Sequence, residues 1–156
     1  MGQHKKSNKN KKTHSKTQKK MIHTSNRGTT NSHTRHIVKI FIEMLNMVKM
    51  YHWKTRSYAQ HKATDELYSK LNEHIDTFIE VLLGKNETRI KTIENNLTLI
   101  NVNNIDDFKE RVYEYRDFLV DMNTYLDSKK DTDLLNIRDE LLADINQFLY
   151  LLTFNK

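Results

Sequence analysis

The chain has 156 residues with no proline, and its three glycines are Gly2, Gly28 and Gly84. Because glycine and proline are the residues that most often interrupt helices and form tight turns, their scarcity favours long continuous helices. The absence of cysteine also excludes disulfides, thiolate metal sites and thiol nucleophiles. The sequence therefore predicts a single all-α domain.

Four stretches carry apolar residues at the three- and four-residue spacing of an amphipathic helix. The first follows Thr34, a candidate N-cap, and ends near Trp53. A short link leads to the second, which ends at Gly84, a candidate C-cap. These two stretches predict an antiparallel pair of helices.

The other two stretches run from Ile105 to Leu126 and from Leu134 to Leu152, again joined by a short link. Residues 85–103, which precede them, lose the helical period and form a long link. Two helical hairpins with one long crossover are typical of ferritin-like folds. We therefore expect an all-α, ferritin-like four-helix bundle over residues 34–156.

The N-terminal segment differs sharply from the rest of the chain in charge. Residues 1–36 contain ten Lys and Arg and no acid, a charge of +10, whereas the remaining 120 residues carry −4. The only sizeable apolar residues of this segment are Met1, Met21 and Ile22. Burying them cannot offset the entropy lost when the segment becomes ordered. We expect residues 1–33 to form a disordered, lysine-rich arm.

An arm with many cations and no aromatic residue would bind phosphates by counterion release without reading sequence. Non-specific DNA or RNA is the expected partner. A solubilising terminus without a partner is an alternative, and a myristoylated basic anchor is another, although Lys6 stands where that motif needs Ser or Thr. The candidate phosphate ligands are Lys5, Lys6, Lys9, Lys11, Lys12, Lys16, Lys19, Lys20, Arg27 and Arg35.

The chain has no apolar run near the roughly 20 residues of a membrane span and no signal-peptide pattern. We therefore expect a soluble protein without a membrane span.

Five imidazole and carboxylate side chains are candidate metal ligands. On an ideal helix, four of them share one face beside the apolar residues, and the fifth lies late in the first helix. This mixed nitrogen and oxygen set suits iron, zinc or manganese. Solvated acids on an exposed helix face are the alternative. The five residues are His52, His61, Asp65, Asp76 and Glu80.

Two further features indicate where such a metal would lie. No Glu in the chain has a His three residues later, so the Glu-x-x-His pairs of a central di-iron site are missing. The ligands instead flank the core, where a second subunit could complete the coordination. Trp53 points away from the apolar face, and a large exposed aromatic predicts an interface.

These residues resemble the signature of the Dps mini-ferritins, the DNA-binding proteins from starved cells. The signature begins with His-Trp late in the first helix, here His52-Trp53, and continues with His61, Asp65 and an Asp-x-x-x-Glu pair. The likeness is strongest over residues 37–84. Residues 51–84 also resemble an uncharacterised ferritin-like family of large DNA viruses.

The Dps resemblance implies a homo-oligomer, with a dimer as building block and up to a dodecamer, that binds DNA through basic arms and sits in the cytoplasm or nucleoid. It also implies ferroxidase sites at two-fold interfaces, where His52, His61 and Asp65 meet Asp76 and Glu80 of a second subunit, and iron(II) is oxidised by peroxide or oxygen. In this chain the link between the two histidines is shorter than usual and lacks the customary glycine. The alternative is a non-catalytic ferritin-like protein, for example a virion component that packages a genome.

Overall fold

In the computed structural model, residues 27–90 and 97–154 are described, with side chains from Ser32 onward. Every regular element in this part of the chain is helical, so the predicted all-α class is confirmed. Short 3-10 turns follow the third and fourth helices. The four helices are α1 (Arg27–Lys54), α2 (Tyr58–Lys85), α3 (Ile105–Asp121) and α4 (Thr132–Leu151).

Side-chain caps fix where α2 and α3 begin. The hydroxyl of Ser57 accepts a hydrogen bond from the main-chain N–H of Gln60 at 3.4 Å, which satisfies one free N–H of the first turn of α2. Asn104 accepts bonds from the amides of Asp106 and Asp107, both at 2.9 Å. The two acids also lie at the positive end of the α3 dipole, which further favours a helix start there.

Two predicted helix ends differ from the structure. Helix α1 begins at Arg27, and Thr34 lies within it as a nearly buried residue instead of capping it. Gly84 does not end α2, which continues to Lys85 with its cap at Asn86. The left-handed conformation that normally favours glycine falls on Glu87, with φ at 48°.

The ends of α3 and α4 are joined by a buried guanidinium. Arg138 on α4 donates to the Leu119 carbonyl at 2.9 Å and to the Asn123 side chain at 3.1 Å. These bonds satisfy groups at the C-terminal end of α3, where intrahelical partners run out. The third helix ends at Asp121, before the predicted Leu126, and a 3-10 turn, Met122–Thr124, follows it.

Ring contacts establish the helix directions. Phe41 lies near Phe118 while Tyr51 stacks on Phe108, with centroids 6.1 and 4.3 Å apart, so α1 and α3 are antiparallel. The three-residue link after α1 makes α2 antiparallel to α1 as well. Helices α2 and α3 therefore run in the same direction, and the link between them must return to the end where α1 finishes. Lys54 accordingly donates to the Val102 carbonyl at that end.

All four helices contribute to one apolar core. Phe41, Phe78, Phe108 and Leu141, one from each helix, are fully buried. Burial on this scale drives the packing and leaves the polar faces of the helices outward. None of the helices in the described ranges is both long and apolar enough to cross a membrane.

Candidate metal centre

The α1–α2 turn brings two of the predicted ligands into contact. His52 lies in the last turn of α1 and His61 in the first turn of α2, and their rings stack with centroids 3.9 Å apart and planes inclined by 23°. His52 is only 7% exposed, whereas His61 is half-buried at the surface. The pair therefore forms a small imidazole cluster at the edge of the core.

Reciprocal hydrogen bonds fix the orientation of both rings. Nδ1 of His52 lies 3.0 Å from the His61 carbonyl, and Nδ1 of His61 lies 3.1 Å from the His52 carbonyl. Because a carbonyl oxygen only accepts, each Nδ1 must carry a proton. In the neutral rings both Nε2 atoms then keep their lone pairs, which is the usual state of metal-binding histidines.

A buried hydroxyl supports this arrangement. Thr64 is fully buried and donates to the Gln60 carbonyl at 2.7 Å, one turn earlier in α2. Its oxygen also lies 3.3 Å from Nδ1 of His52 and can accept from it. Such bonds to the remote nitrogen hold a metal-binding ring in position.

Asp65 brings a carboxylate to the same place. Its Oδ1 lies 3.9 Å from Nε2 of His52 and 3.8 Å from the ammonium of Lys49. Lys49 also lies 4.6 Å from the centroid of Tyr68 and 5.9 Å from that of Trp53, within cation–π range. Asp65 therefore lies near His52, with a lysine that would compete with a metal for its carboxylate.

The remaining two predicted ligands lie elsewhere on α2. Asp76 and Glu80 are exposed, and at 1.5 Å per residue they lie about 16 and 22 Å along the helix from Asp65. Across the described residues, no three His, Asp or Glu side chains come close enough together to hold a metal ion. Completing a site from these five residues therefore requires a second copy of the chain.

The other predicted functional residues are placed only in part. Trp53 is 67% exposed, as its helical position predicted. Arg35 is exposed on α1, and Arg27 begins that helix. All eight lysines of the arm, from Lys5 to Lys20, lie outside the described residues.

Sequence reasoning missed two side chains around the site and one contact farther along α2. Thr64 and Lys49 each fall one helical turn from a predicted ligand, and this spacing could have identified them. His74, nine residues after Asp65, lies 2.8 Å from Asp144 on α4. Seventy residues separate that pair, so no local pattern indicates it.

Comparison with known proteins leaves the function open. No curated protein and no solved structure matches the chain. One family model does match, over residues 52–152, which takes in α2, α3 and α4 together with all five candidate ligands. Since this match covers more than half of the sequence, the chain belongs to the family of unknown function DUF5856.

Proposed function

We propose that this protein is a Dps-like, ferritin-like four-helix bundle that oligomerises, binds nucleic acid through its basic arm and oxidises iron(II) between subunits. The observation that carries the proposal is the pair of histidines whose Nδ1 atoms are bound to main-chain carbonyls. This arrangement leaves the Nε2 lone pair of each ring free, and that of His52 lies 3.9 Å from the Asp65 carboxylate. A half-site of this composition fits iron or zinc.

The spacing of the ligands supports a two-fold interface. His61 and Glu80 are equally distant along α2 from the point between Lys70 and Leu71, and so are Asp65 and Asp76. Two antiparallel copies of α2 related by a two-fold axis at this point would therefore place each histidine half-site opposite the acid pair of the other copy. An isologous contact of this kind forms two equal sites.

The face between the two half-sites is compatible with such an approach. Ser69 and Asn72 lie near the centre of this face, and both are exposed and short. Helices pack 8–10 Å apart, the lower values when the side chains at the contact are small. Trp53 would then lie at the edge of the interface, where the second copy would cover part of its exposed ring.

The same interface would depend on a cation. Asp65 would face Asp76 of the second copy, and like charges at close range repel each other. A divalent ion bound by both carboxylates and an imidazole removes this repulsion. We therefore expect iron(II), manganese(II) or zinc(II) to strengthen dimerisation.

Iron(II) would be the substrate of this site. His52, His61 and Asp65 of one subunit, with Asp76 and Glu80 of the other, would hold it, and peroxide or dioxygen would accept one electron from each ion. The protein's part is to orient the ligands and leave coordination positions open for the oxidant.

The helix directions favour the ferritin-like connectivity. The parallel directions of α2 and α3 are those of two helical hairpins joined by one crossover. Up-down bundles with short links alone lack this feature.

Iron(II) oxidation, followed by absorbance, tests the enzymatic part. His61→Ala and Glu80→Ala should both lose the protein-dependent rate, because each removes one side of the same site. Glu140→Ala, an exposed acid on α4, is the matched control and should keep the parental rate. Equal rates in all four proteins would refute the site.

Nucleic-acid binding is tested by deleting residues 1–26, which contain eight lysines and no acid. The deletion should abolish retardation of duplex DNA in gels while leaving helicity unchanged. Each phosphate that the protein no longer neutralises also lowers the slope of log affinity against log salt by about 0.9. Unchanged retardation would remove the arm from the proposal.

A non-catalytic structural role, for example in a virion, is the second candidate. The contact between Lys49 and Asp65 favours it, since lysines of a neighbouring chain could pair with the acids of α2 in the same way. This candidate predicts assembly without bound metal. Elemental analysis of the purified protein, together with its mass in solution, separates the two.

A further inference from the structure

We propose that the α1–α2 turn carries a binding site for single-stranded nucleic acid, distinct from the N-terminal arm and from the metal ligands. The site is a cleft of about 530 Å³ between this turn and the start of α3. Lys54, Arg56, Gln60 and Asn103 contribute to its walls. Its volume falls within the range of small-molecule sites.

The charge around the cleft favours a polyanion. Residues 44–64 contain four Lys and Arg and no acid. Lys54, Arg56 and Lys62 are exposed within this run. The acids that face the cleft from α3 are Asp106 and Asp107, and Asp107 accepts a weak bond from the Asn103 amide at 3.4 Å. The cations outnumber these acids, so the surface attracts phosphates.

An exposed aromatic residue near the cleft offers a ring on which an unpaired base can stack. Tyr58 follows Ser57 of the cleft wall and is 78% exposed, more than any other large apolar residue in the described ranges. Unpaired bases stack on such rings in proteins that bind single strands, whereas the bases of a duplex are already stacked. Residues 1–36 contain no Phe, Tyr or Trp. The arm can therefore contact phosphates but offers no large aromatic side chain on which bases could stack.

Gln60 adds a polar group directed by its neighbours. Its amide oxygen accepts from the hydroxyls of Tyr51 and Thr55, at 2.8 and 2.7 Å. This fixes the orientation of the amide and leaves its two N–H groups to donate to a base edge or a phosphate. The turn therefore combines cations, an aromatic surface and directed donors in one place.

The only tryptophan of the chain gives a local readout. Trp53 lies at the same turn and is 67% exposed, so its emission reports binding here and not at the arm. We expect oligothymidylate of about 20 nucleotides, enough to occupy one such site, to quench this emission in the full-length protein. A duplex of the same length should bind through the arm with little quenching.

Variants then test the individual contacts. Tyr58→Ala should weaken oligothymidylate binding about tenfold, the usual effect of losing one stacked base, and change duplex affinity by less than about twofold. Arg56→Gln should lower the salt slope for the single strand by about one. Tyr125→Ala, an exposed aromatic near the opposite end of α3, is the matched control and should behave like the parent.

The results separate this site from the arm. If Tyr58→Ala weakens single-strand binding and Tyr125→Ala does not, the cleft binds the strand, whether or not the arm and the metal site behave as proposed. If oligothymidylate fails to quench Trp53, or if Tyr58→Ala weakens single strand and duplex equally, the inference is overturned.

Discussion

Replacing Thr64 with valine tests whether the buried hydroxyl positions the histidine pair. Valine has nearly the same shape and stays β-branched, so helix packing is preserved while the hydroxyl is lost. The bond to the Gln60 carbonyl at 2.7 Å disappears, and Nδ1 of His52 keeps the His61 carbonyl as its only partner. The ring is then held by one bond instead of two.

The structure sets the size of the effect. No buried group is left wholly unpaired, because the Gln60 carbonyl also accepts a helical N–H, so the loss is about 1–2 kcal/mol, the net value of the one or two hydrogen bonds that the hydroxyl makes. For a domain of this size that lowers the melting temperature by about 4 °C. Losing a bond that orients a metal-binding ring should weaken zinc binding about tenfold.

Urea unfolding and zinc titration measure the two effects. Thr77→Val is the matched control, because Thr77 makes the same bond to a carbonyl four residues earlier, at 3.0 Å, but is exposed. The control should lose less than about 0.5 kcal/mol, typical of an exposed substitution, and keep the parental zinc affinity. If both variants lose equal stability and affinity, Thr64 does not position His52.

Three further substitutions test other parts of the account. Arg138→Met should cost about 3 kcal/mol in urea unfolding, because it removes charged bonds at the end of α3, while the exposed Arg111→Met should cost under about 0.5 kcal/mol. Tyr115 has a buried hydroxyl that finds no partner among the described residues, so Tyr115→Phe should stabilise the protein by about 1 kcal/mol. Burial raises the pKa of Tyr115 above its unfolded value, so the parent should lose stability above about pH 10, and Tyr115→Phe should lose less. Lys49→Met removes the cation near Asp65 and should raise the zinc affinity measured by calorimetry. A lower affinity would show that Lys49 does not compete with the metal for this carboxylate.

The helices could be predicted because their apolar period is a local property of the sequence. Phe41 and Phe78, both fully buried, belong to periods read directly along the chain, and the exposure of Trp53 follows from the same angular reasoning. The ends of the helices are harder to predict from the sequence than the helices themselves. Gly84 offered the usual stop signal, but α2 continues past it to a cap at Asn86, and the positive φ falls on Glu87.

The site could be predicted only as a set of residue types. That His52 and His61 would each bond the other's main chain depends on the backbone of the short turn, which has no signature of its own. Thr64 is an ordinary helix residue until its neighbour on α1 is known. In the proposed dimer, Asp76 and Glu80 would meet the histidine pair of a second chain, and one sequence does not describe such a contact.

Subunit complementation tests the central claim most directly. One variant carries His52→Ala and His61→Ala, the other Asp76→Ala and Glu80→Ala, and each alone should bind no zinc at the site. If each site is shared between two copies, a mixed dimer regains one intact site of two. Random pairing makes about half of the dimers mixed, so co-expression should restore about one quarter of the parental zinc per chain in equilibrium dialysis. Zinc binding no greater than in the separate variants would contradict a metal centre formed between subunits.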